Sequence, residues 1–150
     1  MLSGLIAIII VYVDDIILAG NHLQELNSIK HLLDSSFKIK DLGDLRFFLG
    51  FEIARQQSGI SINQRKYALE LVSDVGLLRC KPSKTPMTFG THLHQDPSPL
   101  YSDAPTYRRL IGRLIYLTNT RPDITFVINQ LAQFMGTPTT THHNAALKVL

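Results

Sequence analysis

The chain opens on an apolar run, Ile6–Val13, which stops at Asp14-Asp15 and resumes as Ile16-Ile17-Leu18-Ala19 before Gly20-Asn21. A short continuous apolar run bounded by polar residues reads as a strand buried on both faces. Two such runs about a polar centre predict a β-hairpin. Beyond it the period becomes helical, with Leu23, Leu26, Ile29, Leu32 and Leu33 forming one apolar face as far as Phe37. Asn21 is placed to cap that helix, with Gln24 at the capping-box position.

From Lys38 the period changes to two. Leu49, Phe51 and Ile53 fall on one side of an expected strand, and Phe48, Gly50, Glu52 and Ala54 on the other. Gln57-Ser58-Gly59 supplies a turn, and Ile60 and Ile62 begin a return strand. Asn63 is expected to cap a helix over Gln64–Val75, with Tyr67, Leu71 and Val75 on one stripe. Residues 80–106 carry Pro82, Pro86, Pro97, Pro99 and Pro105, with Gly90 and several Ser and Thr, a density that reads as an extended connector. Three helices are expected after it: Tyr107–Thr118, Asp123–Met135 and one from about His142. The middle one places Ile124, Val127, Ile128, Leu131 and Met135 along one face.

Composition narrows the class. A hydrophobic fraction of 45% and a charged fraction of 18% suit a folded globular chain. The single cysteine, Cys80, leaves no internal disulfide and no cysteine-based zinc site within one chain, and fits a reducing compartment. The apolar start has no basic leader and breaks at Asp14, well short of the ~20 residues of a membrane span. Net charge is +3, but residues 1–37 carry −3 and residues 38–150 carry +6. An acidic spot ahead of a basic remainder suits an enzyme that holds cations at one point and a polyanion along its surface. On charge alone, an ordinary solvated surface is the favoured reading.

The chemistry concentrates at Tyr12-Val13-Asp14-Asp15. Adjacent carboxylates between buried strands would cost several kcal/mol each if desolvated unpaired, and on a regular strand they would point to opposite faces. A tight turn brings both to the edge of the sheet. The first 29 residues contain no Lys or Arg to neutralise them. A divalent cation is the natural partner, and oxygen-only ligands favour Mg²⁺. The residues alone leave a metal site and a solvated turn both open. His92 and His94, with Asp96 nearby, and the adjacent His142 and His143 read as connector or surface histidines, not as metal ligands.

Tyr12-Val13-Asp14-Asp15 followed by Ile16-Ile17-Leu18-Ala19-Gly20 resembles the signature hairpin of reverse transcriptases. The rest resembles the copia-type retrotransposon enzymes almost end to end. Phe37-Lys38-Ile39-Lys40-Asp41-Leu42-Gly43 and Phe48-Leu49-Gly50-Phe51-Glu52-Ile53 match the family's F-x-I-K-D-L-G and F-L-G-I-E-I stretches. Gln64-Arg65-Lys66-Tyr67 and Thr85-Pro86-Met87 match its Q-x-K-Y and T-P-M. Tyr107 to Leu117 and Thr120-Arg121-Pro122-Asp123-Ile124 match its Y-R-x-x-I-G-x-L-x-Y-L and T-R-P-D-I blocks.

The resemblance implies an α+β fragment of a Pol polyprotein. Its expected parts are a palm piece over 1–63, a thumb-like helix over 64–79, a proline-rich connector over 80–106 and a helical connection region over 107–150. The activity implied is RNA- and DNA-templated DNA synthesis by two-metal phosphoryl transfer with Mg²⁺, or Mn²⁺ in its place. Asp14 becomes the expected principal metal ligand and Asp15 its accessory, with Tyr12 and Val13 near the primer end or the incoming nucleotide.

The hairpin Phe48–Ile62 takes the place of the primer-gripping element. Gly50 lies at its close approach, and Lys38, Lys40, Arg46, Arg55, Arg65 and Lys66 surround it as candidate phosphate contacts. Arg108, Arg109 and Arg113 either track a nucleic-acid backbone or solvate an outer face. The family's third metal-binding aspartate belongs to an upstream D-V-x-x-A-F-type block with no counterpart in these residues. The fingers and the ribonuclease H region have none either, so this stretch alone is expected to be inactive. The implied partners are template–primer, deoxynucleoside triphosphates and the other polyprotein regions, with no membrane, in a cytoplasmic particle or the nucleus. The alternatives are a non-catalytic relic that at most binds nucleic acid, or another Asp-dependent metal enzyme such as a nuclease.

Overall fold

A computed structural model describes residues 4–87, 93–95 and 97–150. Strands β1 (Ala7–Tyr12) and β2 (Asp15–Gly20) form an antiparallel ribbon with Ala7 opposite Gly20 and Tyr12 opposite Asp15. Helix α1 (Leu23–Phe37) follows and packs against β2. Lys38, in the left-handed conformation at φ 54°, ends α1 by donating its backbone N–H to the Asp34 carbonyl.

The expectation that Ile6–Val13 is buried on both faces is corrected: every residue of β1 is exposed, with Ile8, Ile9 and Ile10 at 52%, 48% and 47%. A two-stranded ribbon covered only by a helix on its second strand has too few layers to bury the first. The Asn21 cap is also corrected. His22 is the N-cap residue and makes no side-chain cap bond. The Asn21 side chain instead accepts from the Ile6 N–H at 2.9 Å and donates to the Gly4 carbonyl at 3.0 Å, closing the base of the hairpin.

The second sheet has the order β3 (Phe47–Phe48), β4 (Phe51–Gln56), β5 (Gly59–Asn63), all antiparallel. The single strand expected through Phe48–Ala54 is broken by a two-residue turn at Leu49-Gly50, with φ values of 49° and 78°. Gly50 supplies the left-handed conformation that such a turn requires. Helix α2 (Arg65–Asp74) has Gln64 as its N-cap residue, while the Asn63 side chain accepts from the Arg65 N–H at 3.1 Å.

The core lies in the second half. Helix α3 (Ala104–Leu117) contributes Tyr107, Leu110, Ile111, Leu114 and Leu117. It starts earlier than the periodicity suggests because Asp103 caps it at the Thr106 N–H, and Pro105 in the first turn needs no hydrogen-bonded N–H. A 3-10 turn, Pro122–Ile124, leads into α4 (Thr125–Ala132), which presents Val127, Ile128 and Leu131. α4 stops short of the expected Met135 because bonds three residues back (Gln133 to Gln130, Phe134 to Leu131) tighten the chain before Gly136. Helix α5 (Thr140–Val149) adds Ala146, and α2 adds Leu71.

The proline-rich stretch does not run clear of this core. Leu93 is 5% exposed within it, and Leu100 bridges to Thr139. Gly90, His92 and Asp96 lie outside the described residues.

Candidate active site

The register that pairs Tyr12 with Asp15 leaves Val13-Asp14 as a two-residue loop. Such a loop matches strand twist only with a positive φ at its first position, and Val13 takes φ 53°. A β-branched residue there is strained, by roughly 1–3 kcal/mol. At the other end of the hairpin, a Cβ on Gly20 would meet the Ile6 carbonyl oxygen at 2.6 Å, so only glycine lets the strands close onto Asn21.

Tyr12, Val13, Asp14 and Asp15 are all exposed at the tip. Among the described residues the ion pairs are Lys30–Asp41, Lys66–Glu70, Arg113–Asp74 and Arg121–Asp123, and none involves the two tip carboxylates. Two unpaired, solvent-facing carboxylates with only oxygen donors suit Mg²⁺ or Mn²⁺ as part of a ligand set. Among the described residues no third His, Cys, Asp or Glu joins them in a cluster. The remaining ligands would have to come from substrate, water or another segment.

The basic residues expected around the second hairpin are partly drawn together. Arg46 and Arg55 line one shallow groove on the β3–β5 sheet with Asp44, Phe47, Glu52 and Asn63. Lys38 and Lys40 lie on the loop after α1, outside that lining, and Arg65 and Lys66 open α2. Lys66 reaches Glu70 at 3.9 Å, and its backbone N–H donates to the Glu52 carboxylate at 2.7 Å. Arg108 and Arg109 are exposed, whereas Arg113 is committed to Asp74 at 2.6 Å and lies over the Tyr67 ring.

Two features escaped the sequence pattern. His142, expected at the surface, is 3% exposed: its Nδ1 accepts from the Thr139 N–H, its Nε2 donates to the Leu93 carbonyl, and its ring stacks on Phe134 at 3.8 Å. Both ring nitrogens are thereby used: Nδ1 closes the start of α5, and Nε2 holds the connector to it. Tyr116 of α3 donates its hydroxyl to the Leu49 carbonyl, packs on Phe51 at 5.6 Å and meets the Tyr67 ring edge-on at 5.1 Å. Burial first, then the nearness of Tyr67 and Tyr12, holds the Tyr116 hydroxyl above the usual tyrosine range, so it remains a donor. The only signal in the sequence was a tyrosine placed among the apolar positions of an amphipathic helix.

The family model described as "Reverse transcriptase (RNA-dependent DNA polymerase)" matches residues 3–89, more than half of the chain. The retrovirus-related Pol polyprotein from transposon RE2 of Arabidopsis thaliana is 38% identical over 94% of the chain, which spans 10% of that polyprotein. An uncharacterized mitochondrial protein of the same plant is 37% identical over 95% of the chain, which spans 59% of it. The Pol polyprotein from transposon TNT 1-94 of Nicotiana tabacum is 27% identical over 95% of the chain and is covered for 11% of its length. No solved structure matches the chain. The family match across the hairpin, with Pol polyprotein relatives along almost the whole length, places this chain in the reverse transcriptase (RNA-dependent DNA polymerase) family of copia-type retrotransposons.

Proposed function

We propose that the chain supplies the metal-binding hairpin and the primer-side hairpin of an RNA-directed DNA polymerase completed by other parts of a Pol polyprotein. In this reading residues 1–63 belong to the palm, 64–79 form a thumb-like helix, 80–106 connect, and 107–150 form the helical connection. The observation that carries it is the Val13-Asp14 turn, which offers two carboxylates to solvent with no basic partner among the described residues. Mg²⁺ or Mn²⁺, when bound, would activate the primer 3′ hydroxyl and offset charge on the leaving pyrophosphate. Asp14 holds that metal from the turn, and Asp15 assists from the first position of β2. Tyr12 and the Val13 backbone border the primer end and the incoming nucleotide. Arg46 and Arg55, with Lys38, Lys40 and Lys66 further out, hold template–primer phosphates without reading sequence.

The test joins this chain to the upstream palm and fingers of a copia-type polyprotein and follows primer extension with Mg²⁺. Asp14→Asn is expected to abolish synthesis and Asp15→Asn to leave less than full activity, because Asn keeps the shape but loses the charge opposite the metal. The isolated chain is expected to incorporate no more than its own Asp14→Asn control. Normal synthesis by Asp14→Asn would return the pair to a solvated turn.

A further inference from the structure

Three segments far apart in sequence meet at one side chain. Tyr116 donates its hydroxyl to the Leu49 carbonyl, and its ring edge and hydroxyl lie 3.7 Å from where a Cβ on Gly50 would stand. Tyr67 of α2 packs edge-on against it and itself donates to the Arg113 carbonyl one turn back along α3, at 3.1 Å. The turn that Tyr116 touches is costly in itself, because Leu49 has φ 49° without being glycine. A non-glycine residue persists in that region only where its surroundings hold it there. Tyr116 lies beyond residues 3–89, the stretch matched by the family model.

We propose that Tyr116 is a positioning residue: by clamping the Leu49-Gly50 turn, it makes the packing of helix α3 on α2 set the placement of the primer-side hairpin. This rests on the polymerase reading for the name of that hairpin, but the clamp itself is geometric. The hydroxyl fixes the turn's carbonyl, the ring fills the space under Gly50, and Tyr67 and the Arg113–Asp74 pair at 2.6 Å tie α3 to α2 behind it.

Hydrogen exchange by mass spectrometry on the dilute 150-residue chain tests it, comparing wild type, Tyr116→Phe and Tyr116→Leu. Phe keeps the ring and loses only the hydroxyl, so a packing role would be rescued by Phe and a clamp would not. Exchange in residues 47–52 is expected to accelerate about two- to tenfold in Tyr116→Phe, the worth of one hydrogen bond, while residues 107–114 and 124–131 keep wild-type protection. Unchanged exchange at 47–52, or uniform acceleration through the core, would overturn the clamp. Should Tyr116→Phe not fold, Gly50→Ala perturbs the same contact from the turn, where φ 78° disfavours alanine. Its effect is expected to spread to residues 115–119, and failure to spread would overturn the clamp equally. Anisotropy with a primer–template duplex supplies the functional arm, with affinity expected to weaken about two- to tenfold in Tyr116→Phe. Equal affinities despite faster exchange would deny the positioning role. A wild-type chain without duplex affinity would count against the polymerase reading, with the exchange result still deciding the clamp.

Discussion

Tyr107 and Tyr116 stand on one helix and do different work. Tyr107 is fully buried, and its hydroxyl donates to the Leu131 carbonyl at 2.8 Å, tying α3 to α4. Burial pushes that hydroxyl far above the ordinary tyrosine range. Tyr107→Phe removes one buried hydrogen bond, leaving the Leu131 carbonyl with the Phe134 N–H, and is expected to destabilise the fold by about 1 kcal/mol, measured by urea unfolding. No change would mean that the bond contributes nothing net. His143 gives a second residue-level expectation. It stacks on Tyr101 at 4.1 Å, and burial lowers its pKa below 6.5 against a smaller opposing pull from Asp103. With the folded value depressed, its contribution is present above the unfolded value and lost as pH falls through the folded one. Thermal midpoints should therefore drop between about pH 7 and 5, and His143→Gln should flatten that drop.

Among the elements, caps decided boundaries that hydrophobic spacing could not. α5 begins where the Thr139 side chain accepts from the His142 N–H and the His142 ring accepts from the Thr139 N–H, a capping box whose third-position residue is a histidine. Thr139→Ala is expected to cost about 1 kcal/mol, read from the same unfolding curves, and to expose Leu93 by loosening the His142 contact. Equal stability would show that the helix is held by packing alone. The β3–β4 break had a sequence signal in Gly50, which period-two reading absorbed as an ordinary strand position. A left-handed turn and a buried strand glycine look alike until the partner strand is known.

The whole molecule divides unevenly: among the described residues the buried apolar side chains lie in α2 to α5, the Pro122–Ile124 turn and the connector at Leu93, with none in the first hairpin or α1. Its exposed isoleucines and unpaired β1 edge offer a template for association. Light scattering should show concentration-dependent growth of the isolated chain, suppressed by Ile8→Lys with Ile10→Lys. A monodisperse chain at all concentrations would mean that the ribbon needs no cover. The groove that brings Arg46 and Arg55 together sharpens the nucleic-acid expectation. If three or four bases engage phosphates, log affinity should fall with log salt at a slope of about −2 to −4. Neutralising Arg46 and Arg55 together should make it shallower by roughly 1.5 without changing preference among sequences. An unchanged slope would assign both to ordinary solvation.

The sequence by itself determined the hairpin around Asp14 and Asp15, the helical character of α1 to α5, the tyrosine–leucine stripe of α2 and, through ordered motifs, the family. These are local properties, set by side-chain period and by residues adjacent in the chain. Tertiary structure alone decided which apolar faces are covered, since burial of β1 depends on neighbours that no periodicity encodes. It also turned His142 inward and gave Asn21 to the hairpin base in place of the helix. It brought Tyr116 to Leu49, 67 residues away along the chain. A hydrogen bond between residues that distant is fixed by how α3 packs against α2 and the β3–β4 turn, and its donor looks in the sequence like any other tyrosine on an amphipathic helix.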